Sequence, residues 1–120
     1  MEYYGVIYCI TCLVNNKQYI GQTKQKNHKK YFYKHLYNAY KDESQKNRVI
    51  YRAIRKYGKE NFKWEIIDYC NSKQHLDEME KYYINKFGTY INFLNSKGYN
   101  CTLGGDGGKG SKWSDESKIK

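Results

Sequence analysis

The sequence predicts a small α/β (α+β) domain, with a three-stranded mixed or antiparallel sheet flanked by helices in the order ββααβα. Three observations carry this. Two short runs rich in β-branched and aromatic residues, Tyr4 to Thr11 and Lys17 to Gln22, are split by Leu13-Val14-Asn15-Asn16. Two stretches then repeat apolar residues at helical spacing. A third strand-like run, Asn61 to Cys70, leads into a serine-capped helical stretch. At 120 residues the chain fits one small domain.

The first two runs read as an antiparallel hairpin, because asparagine tolerates the left-handed backbone that tight turns need. Thr23 to Asn27 is a polar connector, after which Phe32, Leu36 and Ala39 mark a helix from about Lys29 to Lys41, with Tyr31, His35 and Asn38 on another of its faces. Asp42 to Lys46 reads as a polar loop. A second helix carries Ile50, Ala53, Ile54 and Tyr57 on its apolar side and Arg48, Arg52 and Arg55 on another, and Gly58 stops it. Phe62, Trp64, Ile66 and Ile67 give the third strand. Ser72 caps a third helix, Lys73 to Phe87, with Leu76, Met79, Tyr83 and Phe87 on its core face, Glu80 at the edge of that face and Gly88 as its stop. Six of the ten glycines fall between Gly98 and Gly110. Residues 1–103 therefore read as the domain. Residues 104–120 read as a glycine-rich linker and the start of a further helix, as in a fragment of a longer protein.

Charge narrows the function. With 22 Lys+Arg against 12 Asp+Glu the formal net charge is +10, which points to a polyanionic partner, nucleic acid first. The abundance of Lys, Asn, Tyr and Ile also matches an AT-rich coding sequence, so placement is more telling than the total. From Tyr3 to Lys41 there is no Asp or Glu, although their codons are AT-rich too, and the same stretch holds Lys24, Lys26, Lys29, Lys30 and Lys34. These lysines, with Arg48 and Arg52, are the candidate DNA-binding residues. The longest wholly apolar run is only Val6 to Ile10, far short of a membrane span, and no secretory leader follows Met1. The sequence thus reads as intracellular, in cytoplasm or nucleus, with its four cysteines as thiols.

Val6-Ile7-Tyr8 is followed eleven residues on by Tyr19-Ile20-Gly21. Gly5-Val6-Ile7-Tyr8 with Asn16 to Thr23 resembles the GIY-YIG nuclease superfamily. The likeness continues in order through Phe32-Tyr33-Lys34-His35-Leu36, Ala53-Ile54-Arg55-Lys56-Tyr57-Gly58, Glu78 to Ile84 and Lys97-Gly98-Tyr99-Asn100. Each piece alone is weak, and their order and spacing make the match specific. The closest branch looks like homing endonucleases, free-standing or intron-encoded, which implies a virus or mobile element as the source. Lys112 to Ser117 resembles the first turn of the small modular DNA-binding helices that often follow such nucleases.

The resemblance implies a metal-dependent DNA endonuclease that hydrolyses phosphodiester bonds with Mg²⁺ or Mn²⁺. Double-stranded DNA would be its partner, with no small-molecule cofactor, and the isolated domain would be a monomer. Glu80 is then the metal-binding carboxylate. Tyr8 and Tyr19 orient or deprotonate the attacking water, a task for which a free phenol, with a pKa of about 10, needs a cationic neighbour. His35 acts near the scissile phosphate, and Asn100 bonds and braces the metal-site region. On its own residue chemistry, Gly21 beside the two tyrosines allows backbone or phosphate to approach closely, whereas His28 and His75 read as surface residues. Val6 stands where the first motif has its glycine, with Gly5 preceding it to supply the flexibility.

One departure matters more. The family places a catalytic arginine three residues before the lysine of Phe32-Tyr33-Lys34-His35, and that position is Tyr31. Three accounts stand open: another cation replaces it (Lys30, Lys34, Arg48 or Arg52); the domain is a catalytically impaired or inactive DNA-binding protein that keeps the nuclease fold; or the arginine was deliberately exchanged. A further reading makes the protein an RNA binder that stacks bases on its tyrosines and gives Glu80 no role. Cys9 and Cys12 are spaced as Cys-x-x-Cys, but three residues apart on a strand they face opposite sides, so all four cysteines read as small buried hydrophobes rather than zinc ligands.

Overall fold

A computed structural model describes residues 2–41 and 48–104. The expected polar loop at Asp42 to Lys46, and all but the first residue of the 104–120 linker and helix start, lie outside the described residues. The elements are β1 (Gly5–Cys12), β2 (Gln18–Thr23), α1 (His28–Lys41), α2 (Val49–Tyr57), β3 (Phe62–Cys70) and α3 (Lys73–Phe87), the order read from the sequence. The sheet is antiparallel throughout, with β1 between β2 and β3.

Local chemistry sets the element ends. Asn16 takes φ 64° in the β1–β2 turn, as a short side chain able to bond locally permits. The Ser72 hydroxyl accepts from the His75 amide at the start of α3, and Gly88 closes that helix in the left-handed region at φ 69°, its amide donating to the Ile84 carbonyl. Arg55 donates to the Ala39 carbonyl at 2.7 Å, satisfying an orphan acceptor of the last turn of α1.

Strand alternation divides the core in two. Tyr8, Ile10 and Cys12 pack with Leu36 and Ala39 of α1 and Ile50, Tyr51, Ala53 and Ile54 of α2. Ile7 and Cys9 face the other way and pack with Ile20, Cys70 and α3 residues Leu76 and Ile84. Cys9 and Cys12 thus sit on opposite faces, as their spacing requires. A bulge opposite Ile7 and Tyr8 shifts the parity of β3. Trp64 and Ile66 therefore join the α1–α2 side while Ile67 joins the α3 side. Burial raises the Cys9 and Cys70 thiols to about 11. Cys101 departs from expectation: it is exposed.

Two helix faces also differ from the sequence reading. In α3 the buried residues are Leu76, Glu80 and Ile84, so Glu80 occupies the buried stripe rather than its edge, and Met79, Tyr83 and Phe87 are only partly buried around it. In α2, Tyr51 is buried and Tyr57 only partly so. The three arginines of α2 do not act as one face: Arg55 binds α1, Arg52 is exposed, and Arg48 lies half-buried just ahead of the helix.

Candidate active site

Tyr8 and Tyr19 lie diagonally across the β1–β2 pair, because Tyr8 registers with Gly21 and Ile10 with Tyr19. Their ring centroids are 6.3 Å apart. Trp64 of β3 stacks on the Tyr8 ring at 4.2 Å, and the Tyr31 ring meets it edge-on at 5.7 Å. Tyr8 is thereby fixed in place, and only 2% of its surface is accessible. A Cβ at Gly21 would fall on the Tyr8 hydroxyl and ring. The close approach that Gly21 permits is that of Tyr8 itself, lying across the β2 main chain. Gly5 likewise serves packing rather than flexibility: a Cβ there would stand 2.7 Å from Leu76 and 2.8 Å from the Thr23 carbonyl oxygen.

His35 projects from α1 between two hydroxyls. Its Nε2 is 3.1 Å from the Tyr8 hydroxyl and its Nδ1 3.3 Å from the Tyr51 hydroxyl. Burial, with the nearby Arg48 charge, lowers its pKa to about 4, so it is neutral at physiological pH. A neutral imidazole has one N–H and one bare nitrogen, so one hydroxyl donates to it and the other accepts from it. Tyr51 thus helps set the tautomer that Tyr8 meets.

Arg48 enters from the amino end of α2. Its guanidinium donates to the Tyr19 hydroxyl at 2.9 Å and to the Tyr51 hydroxyl at 3.4 Å, and it lies 4.7 Å from the Tyr51 ring centroid. Burial raises the Tyr19 phenol to about 12 and the Arg48 charge opposes that rise. Burial also raises Tyr8, with Tyr19 and Tyr31 adding to the effect. Both phenols are therefore protonated at neutral pH in the free protein: the cationic neighbour is present, and burial outweighs it.

Glu80 reaches the same place from α3, on the other side of the sheet. Gln22, whose side chain points to that side of β2, donates to a Glu80 carboxylate oxygen at 3.0 Å and to Asp77 at 3.0 Å. Asn100 closes the site from the segment after α3. Its amide nitrogen donates to the Ile20 carbonyl at 2.8 Å, and its oxygen accepts from the Ile20 amide at 2.9 Å and the Thr89 hydroxyl at 2.8 Å. These bonds make it a brace for the edge strand β2.

Tyr8, Tyr19, Gly21, Tyr31, His35, Arg48, Glu80 and Asn100 all line one cleft of about 470 Å³ that spans the β2 edge. A second cleft of about 490 Å³ adjoins it, with Tyr31, His35 and Arg48 as shared wall and Lys30 and Lys34 on its rim. Lys24, Lys26, Lys29, Lys30, Lys34 and Arg52 are exposed. Lys26 is engaged locally, donating to the Tyr3 carbonyl at 2.7 Å and lying 3.8 Å from the Tyr3 ring centroid. His28 and His75 are half-buried rather than fully surface residues, and His28 lies 3.3 Å from the Tyr3 hydroxyl.

Among the described residues no three His, Cys, Asp or Glu side chains cluster as a metal cage. The cleft instead offers one well-placed carboxylate. That donor set suits a hard cation that keeps most of its waters and takes substrate oxygens, as Mg²⁺ does, and it does not suit structural zinc.

Comparison with known proteins agrees with this architecture. Residues 4–100 match the GIY-YIG catalytic domain. The chain is 37% identical over 109 residues to the segB protein of Enterobacteria phage T4, and 32% identical over 122 residues to the intron-encoded protein 1 of Neurospora crassa, both named as endonucleases. Those alignments take in 90% and 97% of this chain but only 41% and 36% of the relatives. The catalytic domain of the homing endonuclease I-TevI superposes with a TM-score of 0.62 at 25% identity, covering 82% of this chain and 98% of that domain. A mutant of the same domain gives 0.67 at 23% identity, covering 82% of this chain and 93% of that one. The family match covers most of the sequence, and the chain belongs to the GIY-YIG endonuclease family as a homologue of homing endonucleases.

Proposed function

We propose that this domain is a metal-dependent endonuclease that hydrolyses phosphodiester bonds in double-stranded DNA. The observation that carries the reading is the convergence of Glu80, Tyr8, Tyr19, His35 and Arg48 on one cleft, from β1, β2, α1, α3 and the amino end of α2. Phosphoryl transfer asks a protein mainly to position and neutralise, and this cleft holds groups of both kinds.

Glu80 would hold a Mg²⁺ or Mn²⁺ ion, and that ion, when bound, neutralises charge on the phosphate and at the leaving oxygen. Tyr8 and Tyr19, protonated and fixed, hold the attacking water and the phosphate oxygens by hydrogen bonds. As the water loses its proton, the Tyr8 hydroxyl can take it while passing its own to His35, in the tautomer whose Nε2 is bare. Tyr19, whose hydroxyl accepts from the Arg48 guanidinium, orients the water and relays no proton. Asn100 keeps β2, and with it Tyr19, in register. The exposed lysines from Lys24 to Lys34, with Arg52, track the DNA backbone.

The test is nicking of supercoiled plasmid at low salt with Mg²⁺ or Mn²⁺, comparing the parent chain with Glu80→Ala. The parent is expected to nick, and Glu80→Ala to lose about 10²-fold or more in rate while binding duplex DNA within about threefold, because the basic face is untouched. Duplex binding with no nicking by the parent would make this a DNA-binding member of the family instead. Nicking indifferent to Glu80 would refute the metal assignment.

A further inference from the structure

We infer that Arg48 supplies the positive charge at the scissile phosphate, from the amino end of α2 rather than from α1. This rests on the endonuclease reading above and assigns one step of it. Among the described residues that line the cleft with Glu80, Tyr8 and Tyr19, Arg48 is the single permanent cation. Tyr31, on α1, carries none, and its ring is committed to packing against Tyr8 at 5.7 Å and His35 at 5.0 Å. Lys30 and Lys34 line only the adjoining cleft, and Arg52 is exposed and lines neither cleft.

Position and rigidity both favour Arg48. It stands in the wall common to the two clefts, so a backbone lying along the lysine rim passes its guanidinium before reaching Glu80. Its contacts with the Tyr19 and Tyr51 hydroxyls hold the planar fork before substrate arrives, and a pre-organised donor acts without reorganisation in the transition state. The charge is secure as well. An arginine keeps its proton at any physiological pH, and the half-buried guanidinium has the Tyr19 and Tyr51 hydroxyls as acceptors, whereas His35 is neutral and brings no charge. Tyrosine on α1 and arginine before α2 thus divide between them the work of filling space and carrying charge.

The experiment is single-turnover cleavage of saturating duplex DNA by the parent, Arg48→Gln, Arg48→Lys and the double variant Arg48→Gln/Tyr31→Arg, with melting temperatures and duplex affinities measured alongside. At saturating DNA Arg48→Gln should be about 10²-fold slower or more, a loss in rate that exceeds its fall in duplex affinity, with the protein folded at the assay temperature. Arg48→Lys should fall between, because it keeps the charge and loses the fork. The double variant should regain about tenfold over Arg48→Gln, since Tyr31 borders the same cleft. Parent-like cleavage by Arg48→Gln overturns the assignment. So does a rate loss that merely follows lost stability or affinity. If Arg48→Gln fails to fold, Arg48→Met decides, because it keeps an unbranched stem to pack on Tyr51 and drops the charge: parent-like cleavage by folded Arg48→Met overturns the assignment, and a loss of about 10²-fold supports it. A parent chain that does not cleave at all refutes the endonuclease reading itself, and this inference with it. Cleavage that needs Glu80 but not Arg48 refutes the inference alone.

Discussion

His35 ties site chemistry to stability. Burial and the Arg48 charge hold its pKa at about 4, against about 6.5 in an unfolded chain. As pH falls, the unfolded chain takes up the proton first, because the folded state resists it. The stability from a neutral His35 is full above about pH 6.5 and is lost progressively down to about pH 4, by about 3 kcal/mol in all. His35→Gln, which cannot titrate, should melt below the parent at pH 7, and the gap should narrow steadily by pH 4. Thermal melts across that range check this. A gap that stays constant, with parallel profiles, would mean that His35 is as easily protonated folded as unfolded. At this scale the sequence was informative about residue types and weak on partners. The motif spacing singled out Tyr8, Tyr19, His35 and Glu80, and all line the cleft. Tyr51 was missed because it sits beside, rather than on, the apolar repeat of α2, and its burial comes from the His35 and Arg48 contacts that only the tertiary fold creates.

Between elements, β2 leaves one outer edge of the sheet to be satisfied. A short segment covers that edge: the Gln18 amide donates to the Lys97 carbonyl and the Tyr99 amide to the Gln18 carbonyl. The Tyr99 hydroxyl also accepts from Asn15 at 3.0 Å, tying the segment to the hairpin turn. Asn100 is the pin, because its side chain serves both main-chain groups of Ile20 and the Thr89 hydroxyl. Asn100→Ala removes all three partners from buried groups. Each unmet buried group costs about 1–3 kcal/mol, so the variant should lose about 2–4 kcal/mol in denaturant unfolding once some of them reach water. A loss within 0.5 kcal/mol, the range of an ordinary surface change, would show that Asn100 is no brace. Local signals announced the elements well, because Asn16, Ser72, Gly58 and Gly88 each end or begin one through their own backbone chemistry. The edge-strand cover left no periodic trace, since it is built from isolated bridges rather than a strand. The burial of Glu80 was only partly legible: its spacing from Leu76 puts it at the edge of the core face, and the structure sets it within the buried stripe, where Gln22 and the cleft meet it.

For the whole molecule, charge placement decides how substrate arrives. The acid-free stretch from Tyr3 to Lys41 folds so that Lys24, Lys26, Lys29, Lys30 and Lys34 are exposed on the β2–α1 connection and the first turns of α1, with Lys30 and Lys34 bordering a cleft. Glu65, by contrast, sits on β3, at the opposite edge of the sheet from β2, paired with Lys63. Part of the +10 net charge is therefore concentrated on this one stretch of surface. If these lysines neutralise DNA phosphates, log affinity should fall linearly with log salt, by about 0.9 for each phosphate contacted. Duplex binding by Glu80→Ala between about 50 and 200 mM salt measures that slope without cleavage. Replacing Lys30 and Lys34 with alanine should lower it by about 2, whereas Lys63→Ala should leave it unchanged. Equal slopes for the two variants would mean that the protein holds DNA by its overall charge and not by this face. A difference confined to the Lys30/Lys34 variant would set the path of the duplex, past Arg48 and toward Glu80.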